Sequence, residues 1–188
     1  IKAKTPELIK TAKAKEAKFQ ELDEKKLNEL LEIFWKRNES QIKQTMQAEQ
    51  GFYFEQDGLK FTGYVDRIDK ISPTDVRIID YKSGKNATEL VKRNWQLTLY
   101  AKAIEKDPKF KGLQARELVL DELQQEKPCL FQIQENGDCQ DLIGRKTAFN
   151  INETFQEILE TAKSIEHDKK HGFNTTSNDT TCDNCDYK

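Results

Sequence analysis

Two aspartates and a lysine stand inside apolar runs between Phe61 and Lys85. The first run is Phe61-Thr-Gly-Tyr-Val-Asp-Arg-Ile-Asp69, and the second is Val76-Arg-Ile-Ile-Asp-Tyr-Lys-Ser-Gly-Lys85. Ser72-Pro73-Thr74-Asp75 separates them as a turn. Residues two apart on a strand share a face, so Asp80 and Lys82 point the same way. Asp66 and Asp80 are each seven residues from Pro73. A hairpin centred there sets them across from one another, with side chains about 5 Å apart. Two carboxylates that close repel unless a positive charge lies between them. A divalent cation held by hard oxygens meets that need. A lysine beside it can orient a water or stabilise developing negative charge. Ile78, Ile79 and Val65 mark both strands as buried, and buried acids need a partner.

The elements that must hold these groups can be read from periodicity. Leu22, Leu27, Leu30, Leu31, Phe34 and Trp35 recur at helical spacing, and Pro6 suits a helix start, which predicts one broken helix or two over Thr5 to Gln47. Gly51 to Gln56 reads as the first strand, with Glu49 just before it. Asp57-Gly58 is a two-residue hairpin signal. Leu59 to Asp69 and Val76 to Lys82 complete an antiparallel meander. Asn86 or Thr88 caps a helix running to Lys106, on which Trp95, Leu99 and Ala103 form an apolar stripe while Gln96 and Tyr100 share a face. Asp107-Pro108 ends it. Ala115 to Leu123, Cys129 to Gln134 and Lys146 to Ile151 read as further strands. Asn152 then caps a helix that buries Phe155, Ile158, Leu159, Ala162 and Ile165 and ends near Gly172. Strands, a helix, then strands again predict an α/β fold with one mixed sheet and helices packed on it. The expected division is a helical segment over 1–48, a core over 49–173 and an extended tail over 174–188.

Composition narrows the class. The chain has 188 residues, 34% of them charged, with a net charge of −2. There is no basic field over the whole domain, so any nucleic-acid contact must be local. No apolar run reaches the roughly 20 residues that span a bilayer. The four cysteines suggest no secreted disulfide framework, and the default location is intracellular and cytoplasmic. Cys129 and Cys139 read as inert thiols, His167 and His171 as surface histidines. The first residue is Ile1, which points to a piece of a longer protein or a trimmed chain.

Three motifs together resemble a family. Gly63-Tyr-Val-Asp-Arg-Ile-Asp69, Asp80-Tyr-Lys-Ser-Gly-Lys85 and Gln96-Leu-x-x-Tyr-Ala101 are similar to the RecB-type branch of the PD-(D/E)xK nucleases. That branch includes domains fused to superfamily 1 helicases of the UvrD, AddA and AddB kind. The resemblance covers Glu49 to the C-terminus and implies a restriction-endonuclease-like fold. It also implies Mg²⁺- or Mn²⁺-dependent hydrolysis of DNA, probing ends as an exonuclease beside a helicase in repair or recombination. Asp66 and Asp80 would bind the metal with the backbone carbonyl of Tyr81, and Lys82 would be the catalytic lysine. Gln96 and Tyr100 would contact substrate or support Lys82, and Glu49 resembles an upstream acid of the family.

The chain departs from that pattern in two places. The family commonly carries a metal-binding histidine on a helix ahead of the first strand, and no histidine precedes His167. That ligand lies before Ile1 or is missing in this member. Many relatives also end in cysteines that hold a [4Fe–4S] cluster with one upstream cysteine. Here Cys182-Asp-Asn-Cys185 begins such a pattern. A cluster or zinc would need ligands from outside the chain, or Cys129 or Cys139. The competing expectation is a catalytically inactive relative that binds DNA or serves as a scaffold in a repair complex. A metal hydrolase or carbohydrate-binding protein on a mixed sheet is a third, supported by little beyond the acidic charge balance.

Overall fold

The computed structural model describes residues 24–82, 90–123, 125–142 and 149–172. Three helices and seven strands are built from them: α1 (Glu24–Asn38), β1 (Thr45–Gln56), β2 (Leu59–Lys70), β3 (Asp75–Lys82), α2 (Leu90–Lys106), β4 (Gln114–Glu122), β5 (Cys129–Ile133), β6 (Asp138–Asp141), β7 (Phe149–Asn150) and α3 (Ile151–His171). The strands form one mixed sheet in sequence order, β1 to β7. All neighbours are antiparallel except β3 and β4, which run parallel with α2 as the crossover between them.

Local sequence accounts for most of this. Asp57 and Gly58 both adopt positive φ (53° and 76°), the backbone a tight two-residue hairpin requires, and the ladder closes on Gln56 and Leu59. Along that hairpin Gly63 faces Phe52, and a Cβ on Gly63 would come within 2.9 Å of the Phe52 ring. The ring fills the space a side chain would take. Phe54 and Phe61 stack across the same strands and reach Phe155 on α3.

The two faces of the sheet are covered differently. On one, α2 and α3 pack over a core that includes Ile68, Ile78, Leu97, Ile104, Leu118, Phe131 and Phe155. The apolar stripe expected on α2 at Trp95, Leu99 and Ala103 shifts: Leu97, Tyr100, Ala101, Ala103 and Ile104 are buried, while Trp95 and Leu99 are half-buried. The helix lies between sheet and α3, so more than one face is covered. Even Lys102 is 8% exposed, its Nζ donating to Glu105 and Asn152.

On the opposite face α1 is fixed mainly through its last turn. Arg37 donates to the Asp121 carboxylate and to the Glu122 and Gln125 carbonyls. Phe34 packs against the Tyr81 ring at 5.3 Å. The apolar residues Leu27, Leu30 and Leu31 are half-buried, and Trp35 stays 40% exposed.

Four boundaries differ from the sequence reading. The strand β1 begins at Thr45, after a 3₁₀ turn over Ile42–Gln44, so Thr45 to Gln47 are extended rather than helical. Pairing with Ile68 and Asp69 of β2 outweighs their helical context. The cap of α3 is Asn150, not Asn152: its side chain accepts from the Asn152 and Glu153 amides. Of the strand expected over Lys146 to Ile151, Phe149 and Asn150 are extended and Ile151 already opens α3, while residues 146–148 lie outside the described residues. The short strand β6 follows the Asn136-Gly137 turn, where the sequence offered a turn and no strand. Expected helix over Thr5 to Leu22, and the Asn86 or Thr88 cap, lie outside the described residues.

Candidate active site

The hairpin is centred where its spacing placed it. Arg67 pairs with Ile79, Ile68 with Ile78, Asp69 with Arg77 and Lys70 with Val76, a register symmetric about Pro73. One step further along lie Asp66 and Asp80. There the ladder stops, and Asp66 Oδ2 accepts from the Tyr81 amide at 2.9 Å. The carboxylate of Asp66 thus takes the role of a backbone acceptor just where β2 and β3 part. This fixes Asp66 on the peptide that joins Asp80 to Tyr81.

Asp80 is 1% exposed. Lys82 reaches it from the same face, with Nζ 3.1 Å from Oδ1 and 2.9 Å from Oδ2. The same ammonium donates to Gln96 Oε1 at 2.8 Å, and Gln96 Nε2 donates to the Tyr100 hydroxyl at 2.7 Å. Asp80, Lys82, Gln96 and Tyr100 therefore form one continuous chain from β3 to α2. The crossover between the parallel strands is what carries α2 over the end of β3. Burial pushes the Tyr100 phenol up to about 12, the Gln96 hydrogen bond opposes this, and the charges of Asp80 and Asp66 add to it. Tyr100 accordingly remains a protonated donor at neutral pH.

Glu49 is not ahead of the first strand but within β1, exposed, at a φ of 49°. Its flanking pairs, Ala48 with Arg67 and Gln50 with Val65, set it across from Asp66. A glutamate in the left-handed region inside a strand is strained, and such strain gathers at functional sites.

A second network lies behind the site and was not read from the sequence. Arg67 grips Asp69 with two nitrogens at 2.6 and 2.7 Å. It also donates to Asn38 Oδ1 at 2.7 Å and to the Tyr81 hydroxyl at 3.0 Å. Tyr81 in turn donates to Asn38 at 3.1 Å. The phenol of Tyr81 is pushed up by burial, against the pull of the Arg67 charge. The side chain of Tyr81 is thus held on the α1 face while its amide is held by Asp66. At the end of β4, Glu122 is 4% exposed and pairs in register with Lys82. The signal that could have found the Arg67 network is the strand alternation: Arg67, Asp69 and Tyr81 fall on the face opposite Asp80 and Lys82, amid residues too apolar for a solvated surface.

Cys129 and Cys139 are both buried, and burial pushes the Cys139 thiol up to about 12. Cys182 and Cys185 lie outside the described residues, as do Ser83 to Lys85. Among the described residues no three carboxylates, imidazoles or thiols gather as a metal cage. Asp80 on Lys82 and Asp66 on the Tyr81 amide offer hard carboxylate oxygens at this end of β2 and β3.

The family model described as the PD-(D/E)XK nuclease superfamily matches residues 2–188. The chain belongs to that superfamily. Its mixed sheet with helices on both faces is the restriction-endonuclease-like architecture of these nucleases. The superfamily name contains an acid-x-lysine motif, and Asp80-Tyr81-Lys82 on β3 has that form. Nucleases of this superfamily generally use divalent metals. A search of curated proteins gave no match.

Proposed function

We propose that this nuclease domain is a Mg²⁺- or Mn²⁺-dependent deoxyribonuclease of the RecB type. It acts as an exonuclease, in the cytoplasm, beside a helicase in DNA repair or recombination. The observation that carries the reading is the position of Lys82, held between Asp80 and Gln96, next to an Asp66 latched onto the Tyr81 amide. The three matched motifs, rather than any contact in the structure, support the exonuclease mode, the cytoplasmic setting and the helicase partner.

The donor set suits a hard cation. Asp66, Asp80 and the Tyr81 carbonyl would hold it, and such an ion supplies an activated water and a counter-charge for the phosphate. The side chains of this chain do the rest. The Lys82 ammonium, 31% exposed, faces outward from Asp80 and would meet the charge that builds on the scissile phosphate. Gln96 fixes that ammonium, and Tyr100, still protonated, offers a hydrogen bond. Glu49, across from Asp66, is proposed as a further acid of the site. The anchoring of α1 behind β2 to β4 supports reading the segment over 1–48 as a brace on the core.

The test is Mn²⁺-dependent degradation of single- and double-stranded DNA by the purified chain and by Asp80→Ala and Lys82→Ala. Loss of Lys82 should lower the rate by about 10²–10³, and loss of Asp80 should abolish cleavage, with the fold intact by circular dichroism. Robust cleavage by both variants would overturn the assignment and favour a non-catalytic DNA-binding relative.

A further inference from the structure

The β1–β2 hairpin turns one face to the core and the other outward. Phe52 and Phe54 are buried, with rings against Tyr100 of α2 and Phe155 of α3. Strand alternation sends Gly51, Tyr53 and Glu55 the other way, and their partners in register are Tyr64, Thr62 and Lys60. All of these except Gly51 are exposed. Tyr64 is 70% exposed, the most open large apolar side chain among the described residues, and Tyr53 is 48% exposed. Exposed aromatic surface of this kind marks a place where something binds.

Strand propensity accounts for tyrosines at these positions, but not for where the Tyr64 ring lies. A Cβ on Gly51 would come within 3.3 Å of that ring. Glycine inside a strand weakens it and marks the close approach of another group. Here the ring itself makes the approach, so it is seated against backbone and open on its outward side. Tyr53 is its diagonal neighbour across the ladder, about 7–8 Å away and within aromatic reach. Lys109 is exposed and donates its Nζ to the Gly51 carbonyl at 2.6 Å, which sets a cation beside the glycine on which Tyr64 rests. Glu55 accepts from the Tyr53 hydroxyl, and Lys60 stands 3.9 Å from the same carboxylate. Tyr64 lies two residues before Asp66 on β2, about 7 Å along the strand.

We infer that the outer face of β1 and β2 is a track for single-stranded DNA, on which Tyr64, with Tyr53 beside it, stacks bases of the strand that enters or leaves the candidate active site. A base offers its face to a side chain only where it is unpaired, and a duplex keeps those faces inside. Every base has such a face, so the track confers a preference for single strands without a preference for sequence. Continuity with Asp66 along one strand, and the Lys109 cation at Gly51, favour a nucleic acid over a protein as the occupant. The inference rests on the nuclease reading and adds the form of DNA that reaches the site.

The test is fluorescence anisotropy of the whole chain with labelled single-stranded oligothymidine and with a duplex of equal length, in EDTA so that nothing is cut. The expected result is tighter binding of the single strand, weakened about 5- to 150-fold in Tyr64→Ala and less in Tyr53→Ala, with duplex binding unchanged. Tyr64→Phe keeps the ring and should bind as the natural chain does. Lys109→Gln should lower the slope of log affinity against log salt by about 0.7. With Mn²⁺ present, Tyr64→Ala should raise KM for the single strand by about the factor seen in binding. Both tyrosines are exposed, so far-ultraviolet circular dichroism should not change. Equal affinity of Tyr64→Ala and the natural chain for the single strand would overturn the inference. So would a Tyr64→Phe variant as weak as Tyr64→Ala, or sedimentation that shows a dimer dissociated by Tyr64→Ala. Mn²⁺-dependent cleavage would still support the nuclease reading in those cases, whereas Tyr64-dependent binding without cleavage would keep the track and remove the nuclease.

Discussion

Lys82 spends two of its three donors inside the protein, on Asp80 and on Gln96, and the orientation of Gln96 depends in turn on the Tyr100 hydroxyl. Tyr100→Phe removes the acceptor for the Gln96 amide and leaves the ring in place. One hydrogen bond of this kind is worth about 1 kcal/mol, so the variant should cleave roughly fivefold more slowly at unchanged fold. The pH dependence follows from the same burial. The folded chain binds the Tyr100 proton more tightly than the unfolded chain does, because the phenol is raised from 10.0 to about 12. Its contribution to stability is complete below pH 10 and is lost as pH rises towards 12. Denaturation midpoints measured across that window should fall more steeply for the natural chain than for Tyr100→Phe. Equal slopes would remove Tyr100 as the cause.

At the scale of elements, β2 is two-sided. Asp66 serves the α2 face, while Arg67 and Asp69 serve the α1 face, where their side chains are 5% and 1% exposed. Removing one partner of a buried pair leaves the other charge without compensation. Arg67→Met should therefore destabilise by about 3–5 kcal/mol, whereas Arg67→Met combined with Asp69→Leu should recover much of that loss. Chemical denaturation of the single and double variants checks this; a double variant as weak as the single one would mean that Arg67 acts chiefly through Asn38 and Tyr81. The contrast shows what the sequence made legible. The hairpin centre, the Asp57-Gly58 turn and the pairing of Gln96 with Tyr100 depend on local spacing, and all three appear in the structure as read. The Arg67 network depends on which helix covers the back of the sheet, and its partner Asn38 is 29 residues away. Nothing in the local pattern of Asn38 distinguishes it from a solvated helix end. Similarly, Asn150 and Asn152 both suit a cap, and only the pairing of Phe149 and Asn150 with β6 decides between them.

At the scale of the molecule, charge is spread rather than concentrated. The charged residues nearly balance, 31 basic against 33 acidic, so any contact with a polyanion must be made locally. No helix among the described residues is long and apolar enough to cross a membrane. The order of the sheet has a consequence for how the molecule comes into being. Strands β1 to β3 pair with their sequence neighbours across short turns, while β3 and β4 pair in parallel only after the whole of α2 has been laid across the sheet. Closing that longer loop costs entropy before its contacts are gained. Pulse-labelled hydrogen exchange during refolding should find β1 to β3 amides protected before those of β4, and simultaneous protection would show a single concerted step. Asp66 and Asp80 belong to the early meander, and Gln96 and Tyr100 to the late crossover. A chain emerging from synthesis would thus hold its two acids together before it could hold its lysine in place, and would acquire competence to cut only as the last large loop closes.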